Sequence, residues 1–515
     1  MKSMKKQYDR KSTFVSRLLA ALVFVSMATS CAKDPVEDNS KYENLALEAW
    51  MTQHRPKLVD NFQAAGNSGF YVDVISEGDA DAAPIGDKAQ WVRFDATARD
   101  LNGNLVLTRN AADAKLLNTF TRYTRYVPFY RYCGTENAGL LEGVWLAMTQ
   151  PLKLDNGARE VKLRINAKVD LYLPSILFGG SLSGSGGYEG ETTLSGNRPV
   201  ILHMEIKDTV VNPLSREGQD VDKFCEDNGG LLRYVKPGSA EISSGAVTIP
   251  EPSDDPVNQP NHPYNPATPR WVSACDSVAQ LYVNYRYNPA ASDVGDKWTY
   301  QHVYKNEYVP YNQPEALHAE IDKALAERFP VETPVGKLEA DSVGLEGTAK
   351  IWYVGRFLDG FVFDTNIDEV KELIYGSGYT AGSVLSYTPS DGGLIQAFYY
   401  TVPRLKYGQW ASLITVSTNA YGSSGQTGST TTSTSGGNTS SYYDYLNYMS
   451  YMNSYYNGYY GGYYNNYYGN YWGGYYGGYY DDYSSDTSQT VTTTTVTTEI
   501  PSFTPLIFQI YVEPK

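Results

Sequence analysis

The cysteines and histidines are the first candidates for chemistry, and their spacing excludes most of it. Cys31, Cys133, Cys225 and Cys275 lie far apart, and His54, His203, His262, His302 and His318 are isolated from one another. No metal-ligand pattern results. No Gly-rich phosphate loop and no nucleophile elbow occurs. The expected cofactor and metal sets are therefore empty. What remains is aromatic, with a carboxylate beside it, in the stretch Ala349 to Asn366. Ala349, Ile351 and Tyr353 alternate with their neighbours as in a half-buried strand. Leu358-Asp359-Gly360 makes a turn, and Val362-Phe363-Asp364 returns as a second strand.

This hairpin resembles that of FKBP-type peptidyl-prolyl isomerases, in which a strand ending in Tyr, a Gly, a Leu-Asp-Gly turn and a Phe-Asp pair form one wall of a proline pocket. The resemblance continues in order. Gly393 to Phe398 resembles the segment that lays a bulky floor residue, here Phe398 where the family usually has Trp. Tyr407-Gly408-Gln409, Leu413 to Val416 and Ala420-Tyr421-Gly422 resemble the next turn, strand and loop. Ile500-Pro501 and Pro505 to Ile510 resemble the closing strand.

The resemblance implies a catalytic set of Tyr353, Phe363, Asp364, Phe398, Tyr421 and Phe508. Leu385, Leu394, Ile395 and Ile500 complete the substrate walls, with Leu385 at a position often aromatic in the family. It further implies that Tyr421 donates its hydroxyl, and Ile395 its backbone N–H, to substrate carbonyls. The expected fold class is α+β: two FKBP-like domains, each a curved antiparallel sheet wrapped on a short helix.

The elements that position these residues span a chain of 515 residues, longer than one ordinary domain. Residues 1–30 read as a signal peptide. A basic region ending at Arg17 precedes an apolar run, Leu18 to Ala28, too short to span a bilayer. Cys31 follows small residues, resembles the lipidated Cys of a bacterial lipoprotein, and is the expected membrane anchor, with 31–43 as a polar tether. Cleavage there takes the formal charge from −15 to −20, which argues against a nucleic-acid partner. Asp34, Glu37 and Asp38 behind the Cys read as a solvated tether. Cys225 with Cys275 is the expected disulfide.

Residues 44–211 read as a degenerate first copy of the fold. Gly69 to Ile75, Trp91 to Phe94, the Asn102-Gly103 turn, Leu140 to Gly143 and Pro199 to Glu205 follow the same order. Aligning the closing strands puts Leu202 where the second copy has Phe508, and no Phe-Asp pair follows Asn102-Gly103. Residues 212–270 are expected as an extended Pro/Gly-rich linker, and 271–515 as the isomerase domain. Within it, Val278 to Tyr287 reads as a strand and Pro314 to Phe329 as a helix. Residues 422–498 are a low-complexity Tyr/Gly/Ser/Thr insertion beside the pocket, expected to be loosely structured.

The leading expectation is a lipid-anchored prolyl isomerase of a Gram-negative outer membrane, acting on proline-containing clients that are exported or surface proteins. The alternatives are a non-catalytic partner in an envelope protein complex and a glycan-binding lipoprotein that uses the Tyr/Gly stretch.

Overall fold

The computed structural model describes residues 39–116, 118, 120, 124–137, 140–178, 198–232, 270–274, 278, 280–291, 313–330, 341–376, 383–390, 392–426, 428–435 and 491–515. Cys31, Cys275 and the Tyr/Gly centre of the insertion lie outside them.

The first sheet is built from β1 (Phe62–Ala65), β2 (Ser68–Ser76), β3 (Gln90–Asp100), β4 (Leu105–Thr108), β5 (Phe129–Cys133), β8 (Lys168–Leu173) and β9 (Val200–Val210). β6 (Leu152–Leu154) and β7 (Arg159–Val161) form a separate two-stranded ribbon. The first sheet runs β1-β2-β8-β9-β3-β4 with β5 also on β3, all antiparallel. β3 alternates buried and half-buried residues throughout, because one face meets the core and the other solvent. Four helices belong here: α1 (Asn39–His54), α2 (Ala111–Leu116), α3 (Glu142–Thr149) and α4 (Ser175–Phe178). α1 begins inside the expected tether and runs to His54. The Glu43 carboxylate accepts hydrogen bonds from the N–H (2.6 Å) and Oγ (2.7 Å) of Ser175, which fixes its first turns.

The second sheet contains β10 (Leu231–Leu232), β11 (Trp271–Ser273), β12 (Leu281–Asn284), β13 (Ala349–Phe357), β14 (Val362–Thr365), β15 (Leu385–Tyr387), β16 (Trp410–Thr415) and β19 (Leu506–Val512). Its order is β10-β11-β12-β16-β19-β13-β14 with β15 also on β13. All neighbours are antiparallel except β10 and β11. The path β2-β8-β9-β3-β4 of the first sheet and β12-β16-β19-β13-β14 of the second have the same connectivity. In each, a helix (α3 or α8, Gln396–Thr401) follows the strand off the main path (β5 or β15) and precedes the last two strands, β8 and β9 or β16 and β19. Each central strand also carries a register shift at the same place, Ala98/Arg99 and Gly355/Arg356.

The expected linker is corrected at its start. Residues Pro213–Asp227 form helix α5, with Pro213 in the first turn and the Asn212 side chain accepting from the Ser215 N–H at 3.2 Å. Val221, Phe224 and Cys225 recur on one face and are buried. α5, α6 (Glu315–Arg328) and α7 (Asp368–Tyr375) cover the second sheet on the side opposite the candidate site. Every residue of β16 and β19 is consequently buried. The expected strand at Val278 to Tyr287 is shorter, Leu281–Asn284, because the Asn284 side chain turns the chain by accepting from the Arg286 N–H. The outer parts of the insertion pair as an antiparallel ribbon, β17 (Ser429–Ser435) with β18 (Val491–Thr497). This corrects the loose reading there. Among the described residues no helix is long and apolar enough to cross a membrane.

Candidate active site

Alternation along the strands decides which side chains meet. Tyr353, Gly355 and Phe357 of β13 share a face with Phe508 and Ile510 of β19, since Gly355 pairs with Phe508 and Tyr353 with Ile510. β14 adds Phe363 to that face, and α8 lays Phe398 over it. The ring of Phe508 is the hub. It stands 5.1 Å from Phe398, 5.8 Å from Phe363 and 6.1 Å from Tyr353, all edge to face, and Tyr353 lies 6.2 Å from Phe398 in the same manner. These separations are those of attractive edge-to-face aromatic pairs.

The expected wall residues join the same apolar cluster. Phe363, Phe398, Phe508, Ile395 and Ile500 are buried in it, while Tyr353, Leu385, Leu394 and Tyr421 are half-buried against it. The floor is thus aromatic and buried, and the rim residues are half-buried. Ile395 is the residue directly before α8, and the Tyr399 hydroxyl accepts from the Leu394 N–H at 3.3 Å, which holds this rim in shape.

Asp364 sits beside this cluster, with its half-buried carboxylate fixed from three directions. It accepts from the Tyr353 hydroxyl at 2.7 Å and from the Thr365 N–H at 2.9 Å, and lies 3.4 Å from the ammonium of buried Lys371. Lys371 and the ring of Tyr399 carried no motif in the sequence and were missed. Helix α7, which brings Lys371 in, begins with Asp368 and Glu369, carboxylates that suit a helix N-terminus.

Three positions beyond Tyr353 on the central strand, Arg356 is fully buried on the opposite face. It donates to Gln509 Oε1 (2.7 Å) and to Gly360 O (3.1 Å), and meets His318 Nδ1 at 2.8 Å. Burial and the neighbouring guanidinium push His318 down to about 3, so its ring is neutral.

The loop carrying Tyr421 is held from α5. Ser417 donates its N–H and its hydroxyl, each at 2.7 Å, to the two oxygens of Glu217. Burial pushes this carboxyl up to about 7 despite those two donors. Neither Glu217 nor α5 was legible as part of the site.

In the first sheet the same register places Ala96 at the position of Tyr353, Val106 at Phe363, Leu107 at Asp364 and Leu202 at Phe508. All five residues Ala96, Ala98, Val106, Leu107 and Leu202 are buried in one core cluster. None of the four matched positions holds an aromatic residue.

Among the described residues no group of His, Cys, Asp and Glu could hold a metal ion. Tyr387, buried beside the ring of Tyr399 at 5.8 Å, backs the wall at β15.

No family model matches the sequence, and no curated protein matches it. Solved structures with some likeness include FkpA from Escherichia coli, at 14% identity and a TM-score of 0.21, covering 38% of this chain and 71% of that one. The three FKBP domains of wheat FKBP73 align over 86% of this chain and 94% of that one, at 9% identity and a TM-score of 0.17. A peptidyl-prolyl cis-trans isomerase from Pseudomonas syringae aligns over 34% and 98%, at 12% identity and 0.21. At TM-scores this low, the fold is read from the strand order above and not from these likenesses.

Proposed function

We propose that the chain is a peptidyl-prolyl cis-trans isomerase of the FKBP type, with the site on the second sheet. The supporting observation is the convergence of Tyr353, Phe363, Phe398 and Phe508 into one edge-to-face aromatic cluster, with Asp364 fixed at its border.

An X-Pro bond resists rotation by about 18–20 kcal/mol because twisting breaks amide resonance. No nucleophile is needed to lower that barrier. A water-poor aromatic floor favours the twisted amide, which carries less charge on its oxygen than the planar one. Phe363, Phe398 and Phe508 seat the pyrrolidine ring, and Leu385, Leu394, Ile395 and Ile500 flank it. The Tyr421 hydroxyl and the Ile395 N–H orient the substrate carbonyls. Asp364, held by Tyr353 and Lys371, faces the reacting amide.

In this reading Cys31 carries lipid and anchors the chain to an outer membrane, and the substrates are proline-containing segments of exported or surface proteins. The first sheet, without aromatic residues at the matching positions, is an interaction platform. A second reading, an FKBP-like binding protein without turnover, is favoured by the full engagement of the Asp364 carboxylate.

A protease-coupled assay on X-Pro tetrapeptides tests the proposal. Acceleration by the full chain that scales with its concentration supports isomerisation. Saturable peptide binding without acceleration supports the second reading.

A further inference from the structure

The first sheet reaches the candidate site through three arginines. Arg109, directly after β4, and Arg131, on β5, donate to the two oxygens of Glu499 at 2.8 Å and 3.1 Å. Arg125, just before β5, donates through Nε (2.9 Å) and Nη2 (2.5 Å) to one oxygen of Asp359, and its guanidinium lies 4.1 Å from the ring centre of Phe357. Asp359 is 3% exposed and also caps the turn before Phe363 by accepting from the Phe361 N–H. Such charge-assisted pairs are directional and, when partly buried, costly to leave half-made.

Both carboxylates belong to segments that carry site residues. Glu499 precedes Ile500, whose N–H and C=O bond to Gln426 just after the Tyr421 loop. Residues Thr498, Glu499 and Pro501 lie in a cleft against Arg109, Thr124, Arg125 and Val127 of the first body. Phe503 holds a left-handed backbone (φ 51°), with its ring edge-on to Trp91 of β3 at 5.2 Å and its N–H on Gly422 O. A bulky residue keeps that conformation only where its surroundings fix it.

We infer that Arg109 and Arg131, acting through Glu499, and Arg125, acting through Asp359, are positioning residues for the aromatic site, so that the degenerate first sheet is a working part of it. The inference rests on the proline-site reading. The segments it fixes are 498–505, which brings Ile500 under the rim, and 358–364, which presents Phe363 and Asp364.

Two measurements on the full chain test it, with the variants Glu499→Gln and Arg125→Ala and the conservative Arg125→Lys. In hydrogen exchange, Glu499→Gln should raise exchange in 420–426 and 498–508 while leaving β2 and β8 at wild-type protection. Unchanged exchange in those segments would overturn the inference. In X-Pro kinetics at a temperature where all variants remain folded, kcat/KM should fall about tenfold for Glu499→Gln and for Arg125→Ala, mostly through KM. Arg125→Lys should recover part of the loss. Wild-type kinetics in both variants would overturn the inference while leaving the isomerase intact. A wild-type chain without turnover would instead remove the isomerase reading, and the exchange result alone would then decide whether the first sheet holds these segments.

Discussion

Gly355 faces the ring of Phe363 so closely that a Cβ on Gly355 would stand 2.6 Å from Phe363 Cζ. The ring of Phe363 enters the aromatic floor only because residue 355 has no side chain. In the first sheet the equivalent pair is Ala98 and Val106, where a smaller β4 residue leaves room for a methyl group. Gly355→Ala should therefore destabilise by about 1–3 kcal/mol, as overpacking does. Adding Phe363→Val should restore most of the melting midpoint without restoring activity. A double-mutant cycle that shows no coupling would separate the two residues.

Phe508 is the hub of the cluster, and the first sheet shows what its position looks like without it. Phe508→Leu, which reproduces Leu202, keeps the strand apolar and should cost only about 1–2 kcal/mol. It should nevertheless lower kcat/KM on X-Pro peptides by tenfold or more, because three ring contacts vanish together. Circular dichroism and thermal melting alongside the kinetics distinguish a lost site from a lost fold.

The Glu217 carboxyl gives a stability signature of defined sign. Its pKa rises from 4.5 to about 7 on folding, with burial the dominant cause and Asp220 adding to it. The folded state therefore holds a proton that the unfolded state releases between these values. The corresponding stability is complete below pH 4.5 and is lost as pH rises through 7, at about 1.4 kcal/mol per pH unit. His318, lowered from 6.5 to about 3, acts oppositely: its stability is present above 6.5 and lost as pH falls. Glu217→Gln removes the first contribution, so the variant should gain stability relative to wild type from pH 4.5 to 7. Urea melts of both proteins across that range check it, and a constant difference would contradict the assigned titration.

The Tyr/Gly centre of the insertion, 436–490, should be dispensable for the fold. Replacing it by a short Gly/Ser connection between Ser435 and Val491 keeps the β17–β18 ribbon and shortens a loop whose closure entropy changes by only about 0.6 kcal/mol per doubling. Melting and activity on tetrapeptides should persist, and activity on an unfolded protein client should fall more. Loss of cooperative unfolding would show that this segment supports the core.

The Tyr353–Phe363 hairpin was legible because it follows local rules, whereas the order of the later segments and the positions of Phe398 and Phe508 were read from the family resemblance. Alternation placed Tyr353 and Phe363 on strands, the Leu358-Asp359-Gly360 turn joined them, and Leu202 marked the position of Phe508 in the first copy. Helix α5 was not legible, because its Gly, Ser and Asp content reads as linker, while its Asn212 cap and the apolar spacing of Val221, Phe224 and Cys225 are short signals. The side of the second sheet opposite the site was equally hidden. Its cover depends on where α5, α6 and α7 pack, and no motif encodes that packing. The pairs Glu217 with Ser417 and Glu499 with Arg109 join residues hundreds of positions apart. A single sequence carries no local trace of such pairs.

The central claim is that the cluster around Phe508 turns over X-Pro bonds. Exchange spectroscopy by NMR on a proline-containing peptide, with the full chain at substoichiometric concentration and no protease present, measures that directly. The account requires cis and trans signals to exchange faster with wild-type protein, and Phe508→Leu, still folded, to lose most of the acceleration. Exchange at the uncatalysed rate with the folded wild-type chain, or equal acceleration by both proteins, would contradict it.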